Sequence, residues 1–312
     1  MLGLAESGKS TIIRSVVEGK TPRLGERYDA TIHYQRTRKV IAGTELVIFD
    51  LGGQTRFLDR FTGDLSEFVF SETNVFIFVI EPLKVADFSR AKYYLELSLE
   101  KLQRFSPNAQ VYVFLHKIDL LPGSLVEKAS ANIKNYLMSG FAREYKLYET
   151  SVFSESIFTA IGEILAEMTG IKAKLHAILE SFLHENAAII DLVRVITEKG
   201  AVLLTAKNRT SIGKISMKQM KEIFDSAIHH LAISKEICEQ GNIISTESED
   251  FLFYTTFLDN GLALIIVSSK KKLQENPKLT ATVYDKIISL SKHIDGFWKK
   301  LGRSSPILRS QQ

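Results

Sequence analysis

A chain of 312 residues has the length of two average domains, and 45% apolar with 24% charged side chains is the composition of a globular protein with material for two cores. Forty Lys and Arg against 36 Asp and Glu leave a net charge of +4 without a long basic block, which argues against nucleic acid as a partner. The single cysteine, Cys238, excludes an intrachain disulfide and a multi-cysteine metal site, and suits a reducing cytoplasm.

The first ten residues contain Gly3-Leu4-Ala5-Glu6-Ser7-Gly8-Lys9-Ser10, which reads G-x-x-x-x-G-K-S, the phosphate-binding loop of nucleoside-triphosphate enzymes. Its glycines let the backbone wrap a phosphate so that successive N–H groups point inward at the start of a helix. Gly3, Glu6, Ser7, Gly8, Lys9 and Ser10, with Thr11 as the helix begins, are the phosphate-side candidates. Lys9 is placed to reach the β- and γ-phosphates as a catalytic cation, and Ser10 to offer its hydroxyl to Mg²⁺. Met1 and Leu2 look like the stump of the strand from which such a loop hangs, and the expectation is that Met1 is not the true start. No secretory leader, myristoylation or prenylation signal is expected, and the apolar runs 75–80 and 262–267 fall well short of a membrane span. Membrane association is therefore expected only through a partner.

Residues 11–19 are predicted helical with Ile12 and Val16 on the buried face, and 21–34 lack a period and read as a loop. Strands are expected over 34–41 and 45–49, around Ala42-Gly43-Thr44. The second of these delivers Asp50-Leu51-Gly52-Gly53-Gln54. An aspartate leaving a strand beside a phosphate loop holds Mg²⁺ directly or through a water, Gly53 can bring its N–H to the γ-phosphate, and Gln54 can orient an attacking water. Alone this element would read as an acidic strand end and a turn. Its distance from the phosphate loop favours the chemistry.

The short apolar runs 74–80 and 110–116 fit central parallel strands covered on both faces, and 87–105 between them fits a helix burying Tyr94, Leu95, Leu97, Leu99 and Leu102. The second run ends in His116-Lys117-Ile118-Asp119, close to the N/T-K-x-D base-reading element. A buried carboxylate at Asp119 accepts from N1–H and the 2-amino group of guanine, donors that adenine lacks, so GTP is expected over ATP. Lys117 would pack its stem along the loop and base. Residues 124–141 and 154–168 are predicted helices, the latter with a Ser154 cap and Glu155 in its first turn, and 146–150 a strand. Residues 1–168 thus read as a doubly wound α/β domain with its motifs at the carboxyl ends of strands.

The remainder reads as α+β: a helix over 172–185 (Leu175, Ile178, Leu179, Phe182), strands 188–197 and 200–207, and a helix over 216–235 with Met220, Ile223, Phe224, Ala227, Ile228 and Leu231 on one side. Strands 250–257 and 262–267 follow around Asp259-Asn260-Gly261, and then a helix over 278–301 carrying Leu279, Val283, Ile287, Leu290, Ile294, Phe297 and Leu301. No chemistry is visible there. The seven histidines form no metal pattern, His229-His230 read as surface residues, and Lys270-Lys271-Lys272 and Lys299-Lys300 as a solvated face rather than a lipid contact.

With these pieces in place the chain resembles the Rag/Gtr GTPases, Ras-like switches that pair with one another and work in nutrient signalling. The resemblance rests on Gly3–Ser10, Ala30-Thr31-Ile32, Asp50–Gln54, the histidine in His116–Asp119, Thr150-Ser151-Val152, and the order of elements after Lys172. It implies a P-loop Ras-like GTPase domain over 1–170, a roadblock-like dimerisation domain over 171–303 and a tail over 304–312. It makes Thr31 the switch residue that closes on Mg²⁺, and Ser151 and Val152 the turn whose backbone meets the guanine O6. The implied partners are an identical or related GTPase through the C-terminal domain, and activating and exchange factors at the switch regions. Two features depart from the Ras pattern: the first strand is nearly absent, and Ala5 stands where a glycine often lies beside the γ-phosphate. The rival to a GTP-hydrolysing switch is a nucleotide-dependent scaffold with little turnover, which Ala5 favours and Gln54 opposes; Arg27 is a weak candidate for a cation supplied in cis.

Overall fold

The computed structural model describes residues 1–20, 22, 31–41, 44–138, 143–197, 199–208, 243–258 and 261–304. The expected helix over 216–235, His229-His230, Cys238, Arg27, Ala30, most of the two turn tripeptides and nearly all of the tail lie outside the described residues. By compactness the chain divides into two units, Met1–Lys39 with Val47–Ala160, and Val40–Leu46 with Ile161–Gln312.

In the first unit, β3 (Val75–Ile80), β4 (Gln110–His116) and β5 (Lys146–Thr150) form a parallel sheet in that order; β1 (Tyr34–Ile41) pairs with β2 (Thr44–Leu51), a strand pair that belongs to this unit except for Val40–Leu46. Met1 and Leu2 join the two sets. The Met1 amine donates to the Phe49 carbonyl at 2.8 Å and the Met1 carbonyl accepts from Leu51 N at 3.2 Å. On the other side Leu2 N donates to Ile77 O at 2.9 Å and Leu2 O accepts from Val79 N at 2.8 Å, a parallel bridge to β3. Two residues thus make the hydrogen bonds of a central strand. β3 and β4 are buried almost throughout, as parallel strands covered on both faces must be.

Helix α1 (Lys9–Glu18) buries Ile12, Ile13, Val16 and Val17, and closes at Gly19 on the Arg14 carbonyl. Two short helices that the sequence pattern did not suggest, α2 (Thr55–Thr62) and α3 (Ser66–Phe70), follow Gln54. They bury Phe57, Leu58, Phe61 and Phe70. Helix α4 (Phe88–Phe105) buries Ala91, Tyr94, Leu95, Ser98, Leu99 and Leu102 at helical spacing, leaving Leu97 half-buried. Full burial of each large apolar side chain stabilises by roughly 1.5–3 kcal/mol, which makes this stripe the main anchor of α4. Tyr94 also donates to Asp59 of α2 at 2.6 Å. α5 (Gly123–Met138) completes the set before β5, and α6 (Glu155–Met168) starts where Ser154 Oγ accepts from Ser156 N.

The second unit holds, among the described residues, an antiparallel sheet in the order β7-β6-β10-β9-β8, from β6 (Leu192–Thr197), β7 (Val202–Lys207), β8 (Ile243–Glu247), β9 (Phe251–Leu258) and β10 (Leu262–Ser269). α7 (Lys172–Glu185) buries Leu175, Leu179 and Leu183, while the expected Ile178 and Phe182 are half-buried. The strand expected from 188 begins only at Leu192, because Asn186 opens a turn whose carbonyl accepts from Ile189 N and Ile190 N. β8 was not anticipated. The helix expected over 278–301 is broken into Pro277–Thr280 and Val283–Ser304, where the Thr280 and Thr282 hydroxyls compete for main-chain carbonyls. Leu279 is exposed in consequence, and Trp298 is buried where Phe297 had been expected. Of the lysine run, Lys272 pairs with buried Asp191 at 2.7 Å and Lys270 with Glu247 at 3.2 Å, in a helix Lys270–Glu275.

Candidate nucleotide-binding site

The phosphate loop runs from Leu2 to the first turn of α1, with Gly8 at the helix N-cap. Gly8 has φ 94°, and a Cβ there would lie 2.6 Å from the His116 ring, so both conformation and space demand glycine. Lys9 is buried and folds back under the loop: its ammonium donates to Gly3 O at 2.8 Å, Leu4 O at 2.9 Å and Ser7 Oγ at 3.3 Å. Burial lowers its pKa to about 8 against the opposing pull of Asp50, with Lys117 adding a like-charge push. The loop thus holds its cation by its own carbonyls and one hydroxyl. Gly53 crosses closely over the Leu4–Ala5 peptide, where any Cβ would collide with main-chain atoms. Gln54 caps α2, its carbonyl accepting from Phe57 N and Leu58 N.

Beside the loop, three oxygens that are far apart in sequence meet. Ser10 Oγ donates to Asp50 Oδ2 at 2.5 Å, lies 2.7 Å from Thr31 Oγ1, and Thr31 Oγ1 donates to the same carboxylate oxygen at 3.2 Å. Asp50 is buried, and its Oδ1 has no hydrogen-bond partner. An unsatisfied buried carboxylate oxygen beside two hydroxyls is an all-oxygen donor set that fits a hard divalent cation. Among the described residues, no group of three His, Cys, Asp or Glu could hold a metal, so the cluster depends on its hydroxyls. Thr31 is brought there by the segment after it: Gly52 N donates to His33 O at 2.7 Å, and the His33 ring sits 4.7 Å from Phe57.

On the base side, His116 is buried at the end of β4 and its Nδ1 lies 3.0 Å from Thr150 Oγ1 of β5. The Thr150 hydroxyl donates to Leu115 O at 3.4 Å, which leaves it to accept from Nδ1–H. Burial, helped by Lys117 and opposed by Asp119, lowers the His116 pKa to about 4, so the ring is neutral at physiological pH. It packs against Gly8 and so ties the phosphate loop to β4. Lys117 turns through a left-handed conformation (φ 69°) and donates to Glu6 O at 2.7 Å and Glu81 Oε2 at 2.9 Å. Asp119, expected to be buried, is instead exposed in the 3₁₀ turn Ile118–Leu120, because the chain leaves the core after His116. At the neighbouring turn Ser151 N donates to Ser156 Oγ at 2.9 Å, so of the pair Ser151 and Val152 only the second is left to offer its N–H to a base.

The structure brings together Gly3, Glu6, Ser7, Gly8, Lys9, Ser10, Thr31, Asp50, Gly53, His116 and Lys117, with Thr11 in the first turn of α1 and Gln54 next to Gly53. Two contributors escaped the sequence, His33 and Glu81. The only signal for Glu81 was an acidic residue directly after an apolar strand, too common to be informative.

A parallel sheet carrying a phosphate loop, an oxygen cluster beside it and a K-x-D turn at the next strand end define a P-loop protein of the small G protein class. Residues 1–228 match the model of the Gtr1/RagA G protein conserved region. The chain belongs to the Gtr1/RagA family, and with that family is a GTP-binding protein of the small GTPase kind. It is 24% identical over 213 residues to GTP-binding protein gtr1 of Schizosaccharomyces pombe, covering 68% of each chain. It is 26% identical over 213 residues to Ras-related GTP-binding protein C of Homo sapiens, covering 63% of this chain and 51% of that one. It therefore spans only about half the length of some of the curated relatives that it matches. Among solved structures it is similar to the Arl6 BBS3 small GTPase from Trypanosoma brucei with bound GppNp, with a TM-score of 0.39, 21% identity, and coverage of 49% of this chain and 84% of that one. So low a score adds nothing to the assignment. No helix among the described residues is long and apolar enough to cross a membrane.

Proposed function

We propose that the chain is a Mg²⁺-dependent, GTP-hydrolysing switch. The observation that carries this reading is the Ser10–Thr31–Asp50 oxygen cluster beside the phosphate loop, with its unsatisfied Asp50 Oδ1. Ser10, Thr31 and Asp50 would hold Mg²⁺, which would supply positive charge at the phosphates. Lys9 adds a second cation from beneath the loop, Gly53 offers its N–H to the γ-phosphate, and Gln54 orients the water that attacks the γ-phosphorus. Thr31 and Gly53 belong to the segments that a γ-phosphate holds and its loss releases. Asp119 selects guanine, with Val152 N–H on O6 and the Lys117 stem against the base.

Catalysis by positioning and the two cations, Lys9 and Mg²⁺, gives an expected intrinsic turnover of about 10⁻⁴ to 10⁻³ per second. Single-turnover hydrolysis of bound GTP tests this, with Gln54→Leu expected to be slower still. Turnover by the purified chain orders of magnitude faster would contradict it. Ala5, exposed within the loop, supports a second reading as a nucleotide-dependent scaffold, because by analogy with Ras-like enzymes a Cβ at that position can crowd the catalytic glutamine or an incoming arginine. Absence of any hydrolysis with tight GTP binding would select that reading.

The domain division at 170/171 and the roadblock-like character of 171–303 remain part of this proposal, as does dimerisation through 172–301 with an identical or related chain. Its support is an antiparallel sheet whose edge strands among the described residues, β7 and β8, invite pairing. A monomeric mass of the full chain at tens of micromolar, with no related chain recovered from extract, would defeat it. Regulators are expected at the switch segments, in the cytoplasm, with membranes reached only through a partner.

A further inference from the structure

Glu81 stands directly after β3, outside every recognised nucleotide motif, yet its carboxylate joins both sides of the site. Its side chain is only 10% exposed. Oε2 accepts from Lys117 at 2.9 Å and lies 3.6 Å from Lys84, whose ammonium pairs in turn with Glu6 Oε2 of the phosphate loop at 2.7 Å. Lys117 completes the circuit by donating to the Glu6 carbonyl at 2.7 Å. The ring thus runs from phosphate loop to Lys84, Glu81, Lys117 and back. It ties together two non-glycine residues held in left-handed conformations, Glu6 at φ 63° and Lys117 at φ 69°. Such conformations persist only where surrounding contacts over-determine them. Without the Glu81 charge, the Lys84 and Lys117 ammonium groups would repel each other, and the turn carrying Asp119 would lose its tether.

We propose that Glu81 is a positioning residue for guanine recognition: through Lys117 it locks the base-reading turn onto the phosphate loop and so sets the lifetime of the bound nucleotide. The proposal rests on the reading of this site as one for guanine nucleotides. Glu81 touches no nucleotide atom in this account. Its effect falls on dissociation, since steering from afar is little changed by one shielded charge while a loosened contact shortens residence.

The test is stopped-flow release of a fluorescent GDP from the full chain, wild type against Glu81→Gln, Lys117→Met and the double variant, with thermal unfolding of each. Glu81→Gln keeps the size of the side chain and removes its charge. Release is expected to quicken about tenfold, the scale of one charged hydrogen bond lost at a partly screened site. The double variant is expected to release no faster than Lys117→Met alone, the mark of two residues acting through one contact. A second readout is the ratio of GDP to IDP affinity, since inosine lacks the 2-amino group that Asp119 accepts from; the ratio is expected to fall in Glu81→Gln. A residue that merely stabilises the fold would lower both affinities equally and leave the ratio alone. Unchanged release, fully additive variants or an unchanged ratio would overturn the inference while leaving the parent reading intact. A wild-type chain that binds no guanine nucleotide at all would overturn both.

Discussion

The phosphate side and the base side of the site are built in different ways. Around the phosphates, Lys9 is buried under the loop, its ammonium held by two main-chain carbonyls and one hydroxyl, and Asp50 is buried at the end of β2. Around the base, Asp119 is exposed and Lys117 hangs on a carboxylate and a carbonyl from two other segments. The first half is made of one short loop, which holds Lys9 by its own backbone, and of the buried Asp50 and the Thr31 hydroxyl brought beside it. The second half is assembled from strand ends by side chains that are still partly in water, so it is the half that neighbouring residues can tune.

The largest expected effect lies on the phosphate side. Lys9→Met should weaken GTP about 10²- to 10³-fold, the cost of removing one partner of a buried charge pair, measured as the change in Kd by calorimetry. A loss below tenfold would mean that the loop backbone suffices. On the base side, Asp119→Asn should lower guanine affinity about 10²-fold or more and raise that for xanthine, whose O2 can accept from the new amide. Equal loss for both bases would remove Asp119 from base recognition.

His116 links the halves and offers a smaller, pH-dependent effect. Its folded pKa, lowered to about 4, lies below the unfolded value of 6.5, so between these the unfolded chain binds more protons and stability falls as pH falls, levelling off below about 4. This acid limb should amount to roughly 1–3 kcal/mol and should flatten in His116→Asn, read from denaturant midpoints across that range. Lys9 gives the opposite limb in binding. Its free-state pKa of about 8 rises when phosphate neutralises it, so nucleotide affinity should be level below pH 8 and fall by up to about tenfold per pH unit above it. Affinity rising between pH 8 and 9 would refute that assignment.

The same contrast explains what the sequence made legible. The phosphate loop could be read because its chemistry needs particular residues at fixed short spacings, and Gly8, Lys9 and Ser10 sit as those spacings require. β3, β4 and α4 were readable because burial on two faces or along one stripe imposes a period. α2 and α3 were missed because elements of eight and five residues carry too few turns to establish one. Glu81 and His33 were missed for another reason: their roles exist only through contacts with residues tens of positions away, which no local pattern encodes. The exposure of Asp119 was misjudged on similar grounds, since spacing places the residue at a strand end but does not say which way the following turn leads.

Competition against a bound fluorescent GDP separates a site that reads guanine while holding phosphate from one that binds any nucleotide. With Mg²⁺ present, GTP should displace the probe at concentrations about 10²-fold or more below those at which ATP does, because adenine lacks the two donors that the exposed Asp119 carboxylate accepts from, each worth roughly 1.5–3 kcal/mol. Comparable displacement by ATP and GTP would contradict the account.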